Sequence, residues 1–286
     1  MPVSSTLPVG SLRPRIRALA SASHPGPCLA ITAMVTALTA QAAPHGIGPV
    51  LVAPAILAGQ LSVGWSNDAC DAARDSAAAR TDKPIARGDI SVRAVWIAAV
   101  CALAVSAVLS LLIGPRPALV NGVMVGAAWA YNAGLKSTWA SGLMYVLGFA
   151  PIPAFATSTL AGQPWPVWPV TAAAGCLGLG AHFANVLPDL AADGMTGVEG
   201  LPQIVAARWG GRAVRAVAIV LLLAASVLLL LAAAPARRWI SVAGLVAAGV
   251  LALIGFRGSG KVPFFAALGI AAVDVVLFLA GGEALT

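Results

Sequence analysis

Residues 67 to 75 read Asn-Asp-Ala-Cys-Asp-Ala-Ala-Arg-Asp and follow directly on an apolar run. The spacing of Asp68, Asp71 and Asp75 predicts a helix with three carboxylates on one face and Asn67 beside them. The same skeleton recurs 118 residues downstream, where Asn185, Asp189 and Asp193 repeat Asn67, Asp71 and Asp75, and Pro202 falls opposite Pro84. One acidic motif is thus written twice.

Around these motifs the chain is 59% hydrophobic and only 9% charged over 286 residues. No single soluble core hides that much apolar surface, so lipid must be the solvent for much of it. Runs long enough to cross a bilayer lie at 28–44, 47–66, 91–113, 117–134, 139–159, 167–186, 213–234, 239–256 and 263–281, which predicts nine transmembrane helices. The positive-inside rule tests that count. With the amino terminus inside, 14 of the 17 Lys and Arg residues fall on the inner side, and only Arg116, Arg237 and Arg238 fall outside. The net charge of +7 is then explained by topology and attraction to anionic headgroups, and calls for no nucleic acid. The expected setting is a multi-pass protein of a bacterial-type plasma membrane, with its carboxy terminus outside.

Arg13, Arg15 and Arg17 precede an apolar stretch, but Pro25 and Pro27 interrupt it and further spans follow, which argues against a signal peptide. Cys28, Cys70, Cys101 and Cys176 lack the spacing of a disulfide framework or a zinc site. Both acidic motifs fall in the longest inner loops, 67–90 and 187–212, which hold eight of the ten acidic residues. The motif separation covers four helices. The expected fold is therefore an all-α membrane bundle of two related four-helix halves whose inner ends face a central cavity, with the ninth helix an addition. Residues 1–27 form a cytoplasmic segment and 28–286 one membrane-embedded domain.

Carboxylates at i, i+3 and i+7 repel one another unless a cation sits among them. Oxygen-only ligands favour a hard ion, and Mg2+ in particular keeps waters and shares itself with phosphate oxygens. Two such clusters facing each other would hold Mg2+ against a diphosphate. Arg80 and Lys83 follow the first cluster, Arg208 and Arg212 the second, and Lys136 stands with Tyr131 and Asn132 in a short inner turn; each could clamp phosphate oxygens.

Other features carry less. Gly255 to Lys261 imitates a phosphate-binding loop, yet Val262 replaces the required Ser or Thr and no strand precedes it, so it reads as a basic turn. Gly175, Gly178 and Gly180, like Gly122 and Gly126, read as close-packing positions within spans. His24 and His45 flank the first span without metal-ligand spacing. His182, one turn before Asn185, reads as a packing or hydrogen-bonding residue. Asp274 lies within the ninth span, where an isolated charge is costly, so it either meets a polar partner or carries a proton.

Asn67 to Asp75 resembles the NDxxDxxxD signature of the UbiA superfamily of intramembrane prenyltransferases, and Asp189 to Asp193 resembles its second motif, DxxxD. The stretches His24 to Pro27 and Tyr131 to Lys136 are also similar to family segments. The resemblance implies transfer of an isoprenoid chain from a polyprenyl diphosphate to a small acceptor, often a phenol or quinone precursor. It implies that Asp68, Asp71, Asp75, Asp189 and Asp193 hold Mg2+, that Asn67, Asn185, Arg80, Lys83 and Arg208 bind the diphosphate, and that Tyr131 and Lys136 serve catalysis. Tyr131 would face the carbocation with its ring, and Lys136 would neutralise the leaving group. In two respects the second motif departs from the pattern: Leu187 and Pro188 precede Asp189, and Val186 stands opposite Asp68. A terpene cyclase on the same scaffold would share every metal residue. A transporter or lipid-handling protein is the alternative of a different class, though its polar groups would run through the midplane instead of gathering at one surface. No protein partner is implied.

Overall fold

The computed structural model describes residues 12–42, 48–188, 190, 200–281 and 285. Its longest element explains where the first motif stands. Helix α3, Gly48–Ala77, runs for 30 residues with Pro54 near its start. At about 1.5 Å per residue it spans about 45 Å, against a hydrocarbon core of about 30 Å. Roughly ten residues must therefore extend past the lipid, and its polar end is the stretch that carries Asn67 to Asp75.

Before α3 come α1, Leu12–Ala22, and α2, Pro25–Ala42. After it come α4, Val92–Ile113, and α5, Pro115–Asn132, a 3-10 turn at Leu135–Ser137, then α6, Ser141–Phe149, and α7, Ile152–Thr157. The chain continues with α8, Trp168–Asn185, α9, Leu201–Trp209, α10, Gly211–Ala232, α11, Arg238–Arg257, and α12, Val262–Ala280. No strand occurs among the described residues. Local chemistry sets several of these boundaries. Ser91 caps α4 by accepting from the Ala94 amide at 3.2 Å, Pro115 opens α5 where its missing N–H costs nothing, and Gly210, with φ +81, turns the chain between α9 and α10.

The helices do not follow the predicted spans one for one. The run 139–159 is not one helix: Pro151 ends α6 and starts α7, because proline supplies no amide to a continuing helix. Helices α1 and α9 add elements that the span count omitted. By length and apolar composition, five of the described helices can cross a bilayer: Val50–Ala77 of α3, α4, α10, Pro235–Arg257 around α11, and α12. Helices α2, α5 and α8, of 18 residues each, fall outside that group. The chain is an all-helical integral membrane protein, with large side chains such as Val100, Val108, Leu112, Val246 and Phe265 exposed along its helices where lipid would cover them.

The sequence repeat extends to element boundaries. Helices α4 and α10 are both 22 residues long, and their starts, Val92 and Gly211, differ by one residue from the 118-residue motif offset. Each packs heavily on its motif-bearing neighbour, α4 on α3 and α10 on α8. Within the first group, polar side chains join the helices. Asn121 Nδ2 donates to Ser106 Oγ at 3.0 Å and to Ser110 Oγ at 2.9 Å, while Ser106 Oγ donates to the Ala55 carbonyl at 2.8 Å. Asn132 Nδ2 donates to Ser66 Oγ at 2.9 Å and to the Val63 carbonyl at 3.0 Å. Such bonds hold helices together where lipid offers no hydrophobic drive between them.

Among the glycines, Gly178 and Gly180 are close-packed as expected. A Cβ at Gly178 would lie 2.6 Å from the Phe149 ring, and one at Gly180 would lie 2.9 Å from Leu222. Gly122 and Gly126 are not close-packed, for a Cβ at either meets nothing within 4 Å. The stretch 258–261 is the turn expected between the last two helices. Asp274 is fully buried and meets a polar partner, Ser226, whose Oγ donates to Oδ1 at 2.5 Å.

Candidate active site

At the end of α3 the motif residues divide between two charge clusters. Asp71 lies between two cations: Lys136, from the 3-10 turn after α5, contacts Oδ1, and Arg74 reaches Oδ2 at 2.9 Å. Asp75, one turn further, is buried. On the other side, Asp68 Oδ1 accepts from Lys83 Nζ and from His24 Nε2, each at 2.7 Å. The Asp68 side chain is only 2% exposed. Two lysines and a histidine from three separate segments thus converge on one helix end.

Two of the expected diphosphate ligands are engaged elsewhere. Arg80 forms a fork with its neighbour Asp82, Nε to Oδ1 at 2.8 Å and Nη2 to Oδ2 at 2.7 Å. That guanidinium holds the Asp82 carboxyl well below the usual carboxylate range. Arg208 is exposed and lies over the Trp209 ring at 5.3 Å.

The second motif begins where α8 ends, at Asn185; Pro188 follows closely, and proline is not compatible with continuing that helix. Asp189 and Asp193 lie outside the described residues. Asn185 is exposed, and the Tyr145 hydroxyl lies beside both Asn185 and Tyr131. Tyr145 stacks on His182 with centroids 4.3 Å apart, and the Tyr131 ring stands nearly perpendicular to both, 5.4 Å from Tyr145 and 5.9 Å from His182. His182 Nε2 lies 3.0 Å from Ser141 Oγ, which also accepts from the Leu201 amide at 2.8 Å. His182 therefore has the hydrogen-bonding and packing role expected of it.

The segment from Tyr131 to Tyr145 consequently touches both motifs. Its Lys136 meets Asp71, its Tyr145 meets Asn185, and its Ser141 meets the start of α9. Tyr145, Ser141, Arg74 and His24 are the residues that reading the sequence did not place here. His24 is 44 residues from Asp68, and only the position of a His-Pro pair ahead of the first span hinted at it.

The chemistry of the donors fits a hard divalent ion. Asp71 and Asp75 offer oxygen at i and i+4 on one helix face, in a field that already draws Lys136 and Arg74 to it. Among the described residues no three metal-ligating side chains come together. The first motif alone is thus no closed cage. Asp68 fits less well, since its side chain, held by two nitrogen donors, is only 2% exposed against 13% for Asp71.

A sequence model of the UbiA prenyltransferase family matches residues 28–280. A structure from work on digeranylgeranylglyceryl phosphate synthase in membranes is similar at 14% identity, with TM-score 0.69, covering 94% of this chain and 99% of that one. A UbiA homologue from Archaeoglobus fulgidus bound to DMAPP and Mg2+ is similar at 15% identity, with TM-score 0.68, covering 94% and 99%. An apo UbiA homologue from Aeropyrum pernix K1 is similar at 17% identity, with TM-score 0.67, covering 93% and 98%. At such identities the likeness establishes the fold. No curated protein sequence matches the chain.

Proposed function

The chain belongs to the UbiA prenyltransferase family, and from that premise we propose that it transfers an isoprenoid chain from a polyprenyl diphosphate to a small acceptor, an aromatic compound or quinone precursor. What supports this is the convergence of Lys83 and Lys136, from different segments, on the acidic end of α3. A diphosphate with its metal needs that interleaving of carboxylate and ammonium. The Archaeoglobus homologue, whose structure holds DMAPP and Mg2+, is similar over nearly the whole chain.

Asp71 and Asp75, together with Asp189 and Asp193 of the second motif, would hold Mg2+. When bound, the ion polarises the diphosphate oxygens and offsets their charge. Lys83 and Lys136 donate to oxygens on which negative charge grows as the allylic C–O bond breaks, and diphosphate leaves with the electron pair. Asn67 and Asn185 bind phosphate oxygens, and Tyr145 orients Asn185. Arg80 and Arg208 join once they exchange their present partners for phosphate. The ring of Tyr131 walls the cation from water and offers it its π face. The acceptor then forms its new carbon bond and gives up a proton.

The same proposal places nine spans in two related halves, the amino terminus and site on the cytoplasmic side, and the carboxy terminus outside. The distribution of Lys and Arg supports it. Residues 1–27 form the cytoplasmic segment and 28–286 the catalytic domain. The test is mass spectrometry of products made from a panel of prenyl diphosphates and aromatic acids. Prenylated acceptor is expected. Cyclic product formed without acceptor would instead assign a cyclase, and an unconsumed diphosphate across the panel would overturn the proposal.

A further inference from the structure

We propose that His24 is a positioning residue for the diphosphate site: through Asp68 it fixes the ammonium group of Lys83, so that Asp68 belongs to this clamp and not to the metal-holding set. The metal-holding role expected of Asp68 is thereby reassigned.

The three polar atoms form a triangle. His24 Nε2 and Lys83 Nζ each stand 2.7 Å from Asp68 Oδ1, and 3.2 Å from each other. An imidazole nitrogen that donates to Asp68 cannot also accept from Lys83. The 3.2 Å separation is therefore that of two donors converging on one oxygen. Both lone pairs of Oδ1 are used, in a side chain 2% exposed. Lys83, 15% exposed, keeps two of its three N–H groups for another acceptor. Asp71 is different, for its cations come from a surface arginine one turn away and from the Lys136 turn.

The backbone around His24 is built to hold this arrangement. His24 adopts φ +55, in the left-handed region, directly before Pro25, a position where sterics favour extended backbone. Such strain persists only where surroundings over-determine it, and here they do. Trp65 Nε1 donates to the Leu19 carbonyl at 2.8 Å, and Cys28 Sγ donates to the Ser23 carbonyl at 2.9 Å. A Cβ at Gly64 would lie 2.0 Å from the Ser23 carbonyl oxygen, so only glycine lets the α1–α2 turn sit this low on α3. The turn thus delivers an imidazole to the first acid of the motif and makes α1 part of the site's support.

This rests on the diphosphate reading given above, and the tests are chosen so the two can fail separately. The first is Mn2+ binding by electron paramagnetic resonance in the presence of inorganic diphosphate. Asp68→Asn should keep metal affinity within about twofold, while Asp71→Asn loses about tenfold or more. Equal losses would overturn the assignment of Asp68. The second is calorimetric binding of inorganic diphosphate with metal present. His24→Leu should weaken it about fivefold, and His24→Gln, whose amide can still donate to Asp68, should restore it. No change in His24→Leu, or no rescue by Gln, would overturn the positioning role. The third is trypsin cleavage after Arg15 and Arg17, which needs neither ligand. His24→Leu and Asp68→Asn should be cut about fivefold faster than the parent, and Asp71→Asn at the parent rate. Indistinguishable rates would overturn the clamp even if the chain binds no diphosphate.

Discussion

Asp71 holds a cation on each oxygen, Lys136 on one and Arg74 on the other. Asp71→Asn keeps the shape and removes the charge, so prenyl transfer should fall about 100-fold or more while the thermal unfolding temperature stays close to that of the parent. Lys136→Gln should lose activity on the same scale, measured as single-turnover rate at saturating diphosphate, because the growing leaving-group charge loses a fixed donor. Tyr145→Phe keeps the ring stacked on His182 and removes the hydroxyl that lies beside Asn185 and Tyr131. About a tenfold fall in kcat is expected, with Tyr145→Leu lower still. At this scale the acids and lysines were legible because spacing and charge mark them. Arg80 was less so, since its fork with Asp82 two residues on is a local pairing that a motif does not encode. Tyr145 and Ser141 carry no local signal, because their roles come from helices that meet only in the folded chain.

Helix boundaries followed the punctuation of the sequence closely. Pro115 opens α5, Gly210 separates α9 from α10, and the motif offset reappears in the starts of α4 and α10. Pro151 was present in the sequence too, but a hydropathy run passes over it, and only its missing amide explains why α6 and α7 are two pieces. Glycines show the limit of reading small residues as packing sites. Gly64→Val should push the α1–α2 turn off α3 and cost about 1–3 kcal/mol in thermal unfolding in detergent. Gly122→Ala, which meets open space, should instead be neutral or stabilising by about 0.5–1 kcal/mol. Equal effects would mean that the close approach at Ser23 is not a constraint.

Across the whole molecule, the doubled motif was the most informative feature of the sequence, because two copies at one offset point to two related positions in the fold. The starts of α4 and α10 repeat that offset to within one residue, and the family match covers residues 28–280. What the offset does not encode is asymmetry. The first motif lies within a 30-residue helix, whereas the second starts at the end of an 18-residue one, next to Pro188. It also does not encode the bridge from Tyr131 to Tyr145 that reaches both. The central claim is that these two helix ends act on one diphosphate through a metal. The most direct test is release of inorganic diphosphate from a prenyl diphosphate by purified protein in lipid nanodiscs, with an aromatic acid present and Mg2+ added or chelated. Release should require Mg2+ and disappear in both Asp71→Asn and Asp189→Asn; release that persists after chelation, or in either variant, would contradict it.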